Sequence, residues 1–129
     1  MDLLLDTHSL LWNLQGDRRL KPAVREAIAN SENHIFISMA SLWEMGIKSA
    51  QGRLILPSGN IDYVLDYIRT WRMEVLPIAL EHVRAASGLP FHHGDPFDRM
   101  LVAQANVEHM RLVTNDAKIL LYQVDILWK

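Results

Sequence analysis

Three apolar runs with no polar interruption constrain this chain more than any other feature: Leu3-Leu4-Leu5, Ile35-Phe36-Ile37 and Leu112-Val113. Continuous rather than alternating hydrophobicity suits strands buried on both faces. The stretches between them have helical spacing. Thr7 to Leu14 reads as a short helix with Leu10, Leu11 and Leu14 inward, and Pro22 opens a second with Val24, Ala27 and Ile28 on one face. Ser38 is placed to cap a helix over Met39 to Ala50, and Ile61 to Trp71 carries apolar residues at positions 61, 64, 65 and 68. Glu74 to Ile78 contains Pro77 and reads as an edge strand. A helix over Ala79 to Ser87 stops at Gly88. Another starts at Asp95-Pro96 and runs to about Glu108. Arg111 to Val113, a short helix over Ala117 to Leu121 and a strand over Val124 to Leu127 complete the pattern. Strands alternating with helices imply a mainly parallel sheet covered on both faces. Such sheets bind ligands beyond the carboxyl ends of their strands.

Four acids sit where an apolar run gives way to a turn or helix: Asp6, Glu44, Asp98 and Asp116. Each has a plain structural explanation. Asp6 suits an N-cap for the helix at Thr7, and Asp116 suits a cap for the next short helix. Glu44 stands four residues before Lys48, a spacing that on an exposed helix contributes only about 0.2–0.5 kcal/mol. Asp95 fits the cap of the Pro96 helix, which places Asp98 in its first turn, where an acid favours the helix dipole. The surroundings of Glu44 (Leu42, Trp43, Met45, Gly46 and Ile47) are too apolar for an ordinary solvated acid. In one compact α/β domain the four carboxylates meet at one sheet edge, and the usual resolution of their repulsion is a hard divalent cation with oxygen ligands.

Composition narrows the field. The chain has 129 residues, the size of one domain over 1–129, and half of them are hydrophobic. It has no cysteine, which rules out a disulfide, a thiolate nucleophile or a cysteine-bound zinc, and fits a cytoplasmic location. No apolar run approaches the ~20 residues of a spanning helix, so no membrane role is expected. The net charge is −2 with 15 acids; with the four site acids set aside, 11 remain against 13 cations, nine of them Arg. Arg18, Arg19, Arg53, Arg69, Arg72 and Arg99 form a candidate basic rim for phosphate. His92 and His93 are adjacent in a loop, lack helical zinc-pair spacing and are expected to touch solvent or substrate. His8 either approaches the acids or is a partly buried structural residue.

The segments Leu3 to His8, Ser41 to Lys48, His93 to Ala105 and Leu112 to Asp116 resemble the PIN domain, and more closely the VapC-type toxins of bacterial type II toxin–antitoxin systems. Asp95-Pro96-Phe97-Asp98-Arg99 is the most specific piece. The resemblance implies a three-layer α/β/α fold with a five-stranded, mainly parallel sheet of order 3-2-1-4-5. It implies a Mg²⁺- or Mn²⁺-dependent endoribonuclease using one or two ions, held by Asp6, Glu44, Asp98 and Asp116. Thr7 and Thr114 match hydroxyl residues that support the first and last acids, and Arg99, His93 and Lys48 are candidate substrate contacts. It further implies an RNA substrate, a homodimer and a cognate antitoxin, with Trp43, Met45, Leu54 and Leu56 as candidates to line the antitoxin groove. Two alternatives stay open: a catalytically inactive PIN-like binding module, and a HAD-like phosphatase. The phosphatase is disfavoured because His8 stands where its second Asp belongs.

Overall fold

The structure, a computed structural model, describes residues 1–128. Its five strands are β1 (Asp2–Leu5), β2 (His34–Ser38), β3 (Glu74–Leu76), β4 (Arg111–Val113) and β5 (Ile126–Leu127). They pair in the order β3-β2-β1-β4-β5, and every pairing is parallel. The helices are α1 (Thr7–Gln15), α2 (Pro22–Ala29), α3 (Met39–Ala50), α4 (Ile61–Thr70), α5 (Leu80–Ser87) and α6 (Pro96–Glu108). This is the three-layer architecture expected.

The central strand shows why its apolar run is continuous. Successive strand side chains point to opposite faces. Leu3 and Leu5 therefore enter one core, with Leu10, Leu11, Val24, Ile28, Leu42, Met45, Val64 and Ile68 of α1–α4. Leu4 enters the other core, with Leu101, Val102 and Ala105 of α6. All three leucines are fully buried, and burying each contributes about 1.5–3 kcal/mol. Ile35 and Ile37 repeat the first orientation and Phe36 the second.

The structure shortens three expected elements. β3 stops at Leu76 because Pro77 has no N–H to extend the pairing, and β3 is an edge strand as its proline implies. The helix expected over Ala117 to Leu121 is a single 3₁₀ turn at Ile119–Leu121, held at its start by the Asp116 carboxylate, which accepts from the N–H groups of Lys118 and Ile119. The last strand pairs only at Ile126 and Leu127. α1 runs one residue further than expected, to Gln15, and Gly16 closes it at φ +66°, the left-handed region that glycine enters without strain.

Candidate metal-binding nuclease site

All four acids reach the carboxyl-end edge of the sheet, each by a local device. Leu5 lies opposite Val113, and one step further the Asp6 N–H donates to the Val113 carbonyl at 3.1 Å. That bond keeps Asp6 beside Thr114 where β1 and β4 both end. The Asp6 carboxylate accepts from Ser9 N at 2.8 Å and caps α1, so the capping and site roles fall on the same side chain. Ser38 ends β2 and caps α3, which carries Glu44 on its second turn. Asp95 caps α6 by accepting from the N–H groups of Phe97 and Asp98, and Asp98 follows in the first turn. Asp116 comes two residues after Thr114, whose hydroxyl accepts from the Asp116 N–H.

Electrostatics record the convergence. Asp98 is pushed up to about 8 from an ordinary 3.8, first by burial and then by the charges of Asp95, Glu44, Asp116 and Asp6. The Asp6 carboxyl is also raised by burial, against hydrogen bonds from Ser9 and Thr114 that favour its charged form. Glu44 is buried as well, yet it has two partners: the Thr7 hydroxyl donates to Oε1 at 2.5 Å, and Lys48 Nζ lies 2.6 Å from Oε2. The i, i+4 pair is therefore real but largely buried rather than a surface decoration. Thr7 supports Glu44 instead of the first acid, whereas Thr114 serves both Asp6 and the backbone of Asp116.

His93 belongs here too. Its ring is buried, with Nε2 2.9 Å from Asp98 Oδ2 and 3.5 Å from Asp116 Oδ1. One donor atom from each of the three residues falls within 4.8 Å of the others. Neither contact of Nε2 is aligned as a hydrogen bond, and Nε2 is one of two buried side-chain polar atoms among the described residues without a partner, the other being Ser41 Oγ. Burial at Asp6 and Asp98, joined at Asp98 by the neighbouring acids, opposes a negative charge there; such a group fits a divalent cation, which reverses that penalty and takes oxygen ligands. A cleft of about 120 Å³ opens beside Glu44, lined by Thr7, His8, Lys48 and Arg53 among others. A larger cavity of about 650 Å³ lies at the other end of the sheet, where β2 and β3 begin, and shares no residue with the acids.

Several expected contacts fall elsewhere. Arg99 is buried, and its guanidinium is committed to groups of the protein itself. Its guanidinium donates to the carbonyls of Ala86, Leu89 and Pro90 and to Tyr122 Oη, at 2.9–3.2 Å. It holds the loop after α5 and leaves the basic rim. Arg19 and Arg69 pair with Asp17 and Asp66. His92 is exposed and meets the Tyr122 ring edge-on. His8 is exposed and stacks on Trp12, yet it lines the cleft beside Glu44 and so does approach the acids. Met45 and Leu56 are core residues, so they do not line a groove; Trp43 is 64% exposed and rests against Phe97. Tyr122 went unrecognised in the sequence. Its hydroxyl donates to Pro90 O at 2.7 Å and accepts from His93 N, anchoring the histidine loop, and nothing local to it signals that task.

The family model for the PIN domain matches residues 3–127, nearly the whole chain, and the chain belongs to the PIN domain family. Among its relatives is the Mycobacterium tuberculosis protein named Ribonuclease VapC22, 28% identical over 121 residues that span 91% of this chain and 88% of that protein. The fold is also that of VapBC2 from Rickettsia felis, solved bound to a DNA fragment from its promoter (19% identity, TM-score 0.70, 98% and 96% of the two chains covered). DNA-bound VapBC from Salmonella typhimurium is equally similar (19%, TM-score 0.70, 98% and 97%).

Proposed function

We propose that this chain is a metal-dependent endoribonuclease and the toxin half of a toxin–antitoxin pair. The observation that carries the reading is the meeting of Asp6, Glu44, Asp98 and Asp116 at one sheet edge, close enough that the other acids help drive Asp98 to about 8. The relative named a ribonuclease and the VapBC complexes of the same fold support it. Asp6 and Asp98 would hold Mg²⁺ or Mn²⁺ directly, and Glu44 and Asp116 would bind through water or hold a second ion. When bound, such a cation lowers the pKa of coordinated water and offsets charge developing on the phosphate.

The remaining work falls to the chain itself. Thr7 and Lys48 fix both oxygens of Glu44. Backbone N–H groups of Lys118 and Ile119 fix Asp116 Oδ1, and Ser9 and Thr114 fix Asp6. Lys48 and Arg53 place positive charge at the cleft beside Glu44, where an RNA phosphate approaches. An antitoxin with a basic side chain suits the same carboxylates, since a cation there replaces the metal's charge. The chain acts as a homodimer.

The test is incubation of the purified protein with total RNA in Mg²⁺, in Mn²⁺ and in EDTA, with the ends of the products mapped. Cleavage is expected with either metal and not with EDTA, leaving 5′-phosphate and 3′-hydroxyl ends. Cleavage that persists in EDTA, or 2′,3′-cyclic ends, would rule out metal-assisted hydrolysis. Protein that binds metal and leaves RNA intact would favour the binding-module alternative.

A further inference from the structure

The grouping of His93, Asp98 and Asp116 within 4.8 Å looks like a histidine–carboxylate metal triad. The hydrogen bonding of the imidazole says otherwise. A histidine that ligates through Nε2 needs its lone pair there, and its other nitrogen then carries the proton and donates to a carbonyl, carboxylate or water. In this chain Nδ1 does the reverse. It accepts from the backbone N–H of Asp95 at 3.1 Å. In a neutral imidazole one nitrogen donates and the other accepts, so an accepting Nδ1 puts the proton on Nε2.

The surrounding loop holds that arrangement. The His93 N–H is donated to Tyr122 Oη at 3.0 Å, and the Asp95 carboxylate is spent on the first turn of α6. Moving the ring proton to Nδ1 would set two N–H groups against each other and leave the Asp95 N–H without its acceptor. Leaving that partly buried donor unpaired is unfavourable. Meanwhile Nε2 faces Asp98 Oδ2 at 2.9 Å and Asp116 Oδ1 at 3.5 Å, aligned on neither.

We propose that His93 is a positioning residue of the acidic site: with its proton held on Nε2 by the Asp95 backbone, it presents an N–H between the Asp98 and Asp116 carboxylates and does not ligate the cation. This rests on the metal-nuclease reading above. Each carboxylate has two oxygens and about four lone-pair sites, so an N–H between the pair occupies one direction and leaves the others to a metal or its waters. The donor sets the spacing of two acids that arrive from different elements, α6 and the turn after β4. It also keeps the ligand set all oxygen. Such a set suits Mg²⁺ and Mn²⁺, whereas an imidazole ligand would tilt the site towards zinc, nickel or copper.

Two measurements on the unaltered protein decide the matter. Long-range ¹H–¹⁵N correlation spectra of labelled protein with Mg²⁺ report which ring nitrogen of His93 is protonated, the signals being assigned by their loss in His93→Gln. The expected result is a protonated Nε2; a protonated Nδ1 with a bare Nε2 overturns the proposal. Electron spin-echo spectra of the Mn²⁺-loaded protein are expected to lack the coupling of a directly bound imidazole nitrogen. Such a coupling, if it vanishes in His93→Gln, makes His93 a ligand and overturns the proposal while leaving the metal site intact. Failure of Mn²⁺ to bind at all overturns the metal reading itself and the proposal with it. As a third arm, His93→Ala is expected to weaken Mn²⁺ binding about tenfold, and His93→Gln, whose amide supplies an N–H in nearly the same place, to recover most of the loss. Equal loss in both variants would remove the donor role.

Discussion

Asp98→Asn is expected to lower RNA cleavage about 10³-fold, as removal of several kcal/mol of metal-borne charge stabilisation implies, and at the same time to stabilise the metal-free protein at pH 8. The two effects have one origin. Burial first, and then the charges of Asp95, Glu44, Asp116 and Asp6, oppose a negative charge on Asp98, and a cation relieves that opposition. The amide has the same shape and no charge. Without metal it removes repulsion; with metal it removes a ligand. The thermal response should therefore invert. Millimolar Mg²⁺ or Mn²⁺ raises the melting temperature of the unaltered protein and has little effect on the variant.

The pH dependence follows with a definite sign. Asp98 has its folded-state pKa raised from 3.8 to about 8. The protonated form is favoured by folding, so its contribution to stability is complete below about pH 4 and is lost as pH rises through about 8. Burial raises Asp6 in the same direction. Melting curves in EDTA should show the unaltered protein losing stability between pH 5 and pH 8.5, with a flatter profile in Asp98→Asn. A flat profile in the unaltered protein, or full cleavage by Asp98→Asn, would remove the carboxylate cluster as the seat of the chemistry.

Arg99→Leu is expected to destabilise the fold by about 3 kcal/mol or more, since it strips donors from a buried site with several acceptors. The acceptors are the carbonyls of Ala86, Leu89 and Pro90 and the Tyr122 hydroxyl, and the guanidinium also lies 4.2 Å from the Phe91 ring centroid. Arg99→Lys should recover little, because an ammonium cannot reproduce a planar fork that reaches separate carbonyls. Urea unfolding midpoints measure both. A lysine variant with the unaltered midpoint would mean that charge alone suffices there. The loop that Arg99 holds carries His93, so cleavage by Arg99→Lys should fall even at temperatures where the variant remains folded.

The layers, and the placing of acids at the strand ends, were legible because periodicity encodes facing, whereas the strand order was implied by the family resemblance alone. Leu3 and Leu5 divide from Leu4 by the two-residue repeat of a strand, and Asp6 follows the last of them. Pro22 and Pro96 mark helix starts, and Pro77 marks an edge. Asp6, one step past β1, and Asp98, in the first turn after Pro96, inherit their location from such marks. Arg99, His93 and Tyr122 had no such guide. Arg99 and Asp98 are neighbours in one helix, yet one serves a loop and the other the acidic site; which way each turns depends on what packs against α6. His93 sits in a segment without a repeat, and its placement comes from a tyrosine 29 residues away and the backbone two residues on. Thr7 bonds Glu44 rather than the acid beside it because α1 carries the hydroxyl towards α3.

The wide sequence separation of the acids has a consequence for synthesis. Asp6 comes from the first strand and Asp116 from the turn after the fourth, and the sheet that joins them needs β4 hydrogen-bonded beside β1. No shorter stretch of polypeptide contains all four acids. A ribosome must therefore release almost all of these residues before the proposed site can assemble. A protease that cuts anywhere between α1 and β4 and lets the halves part disarms the molecule in one stroke.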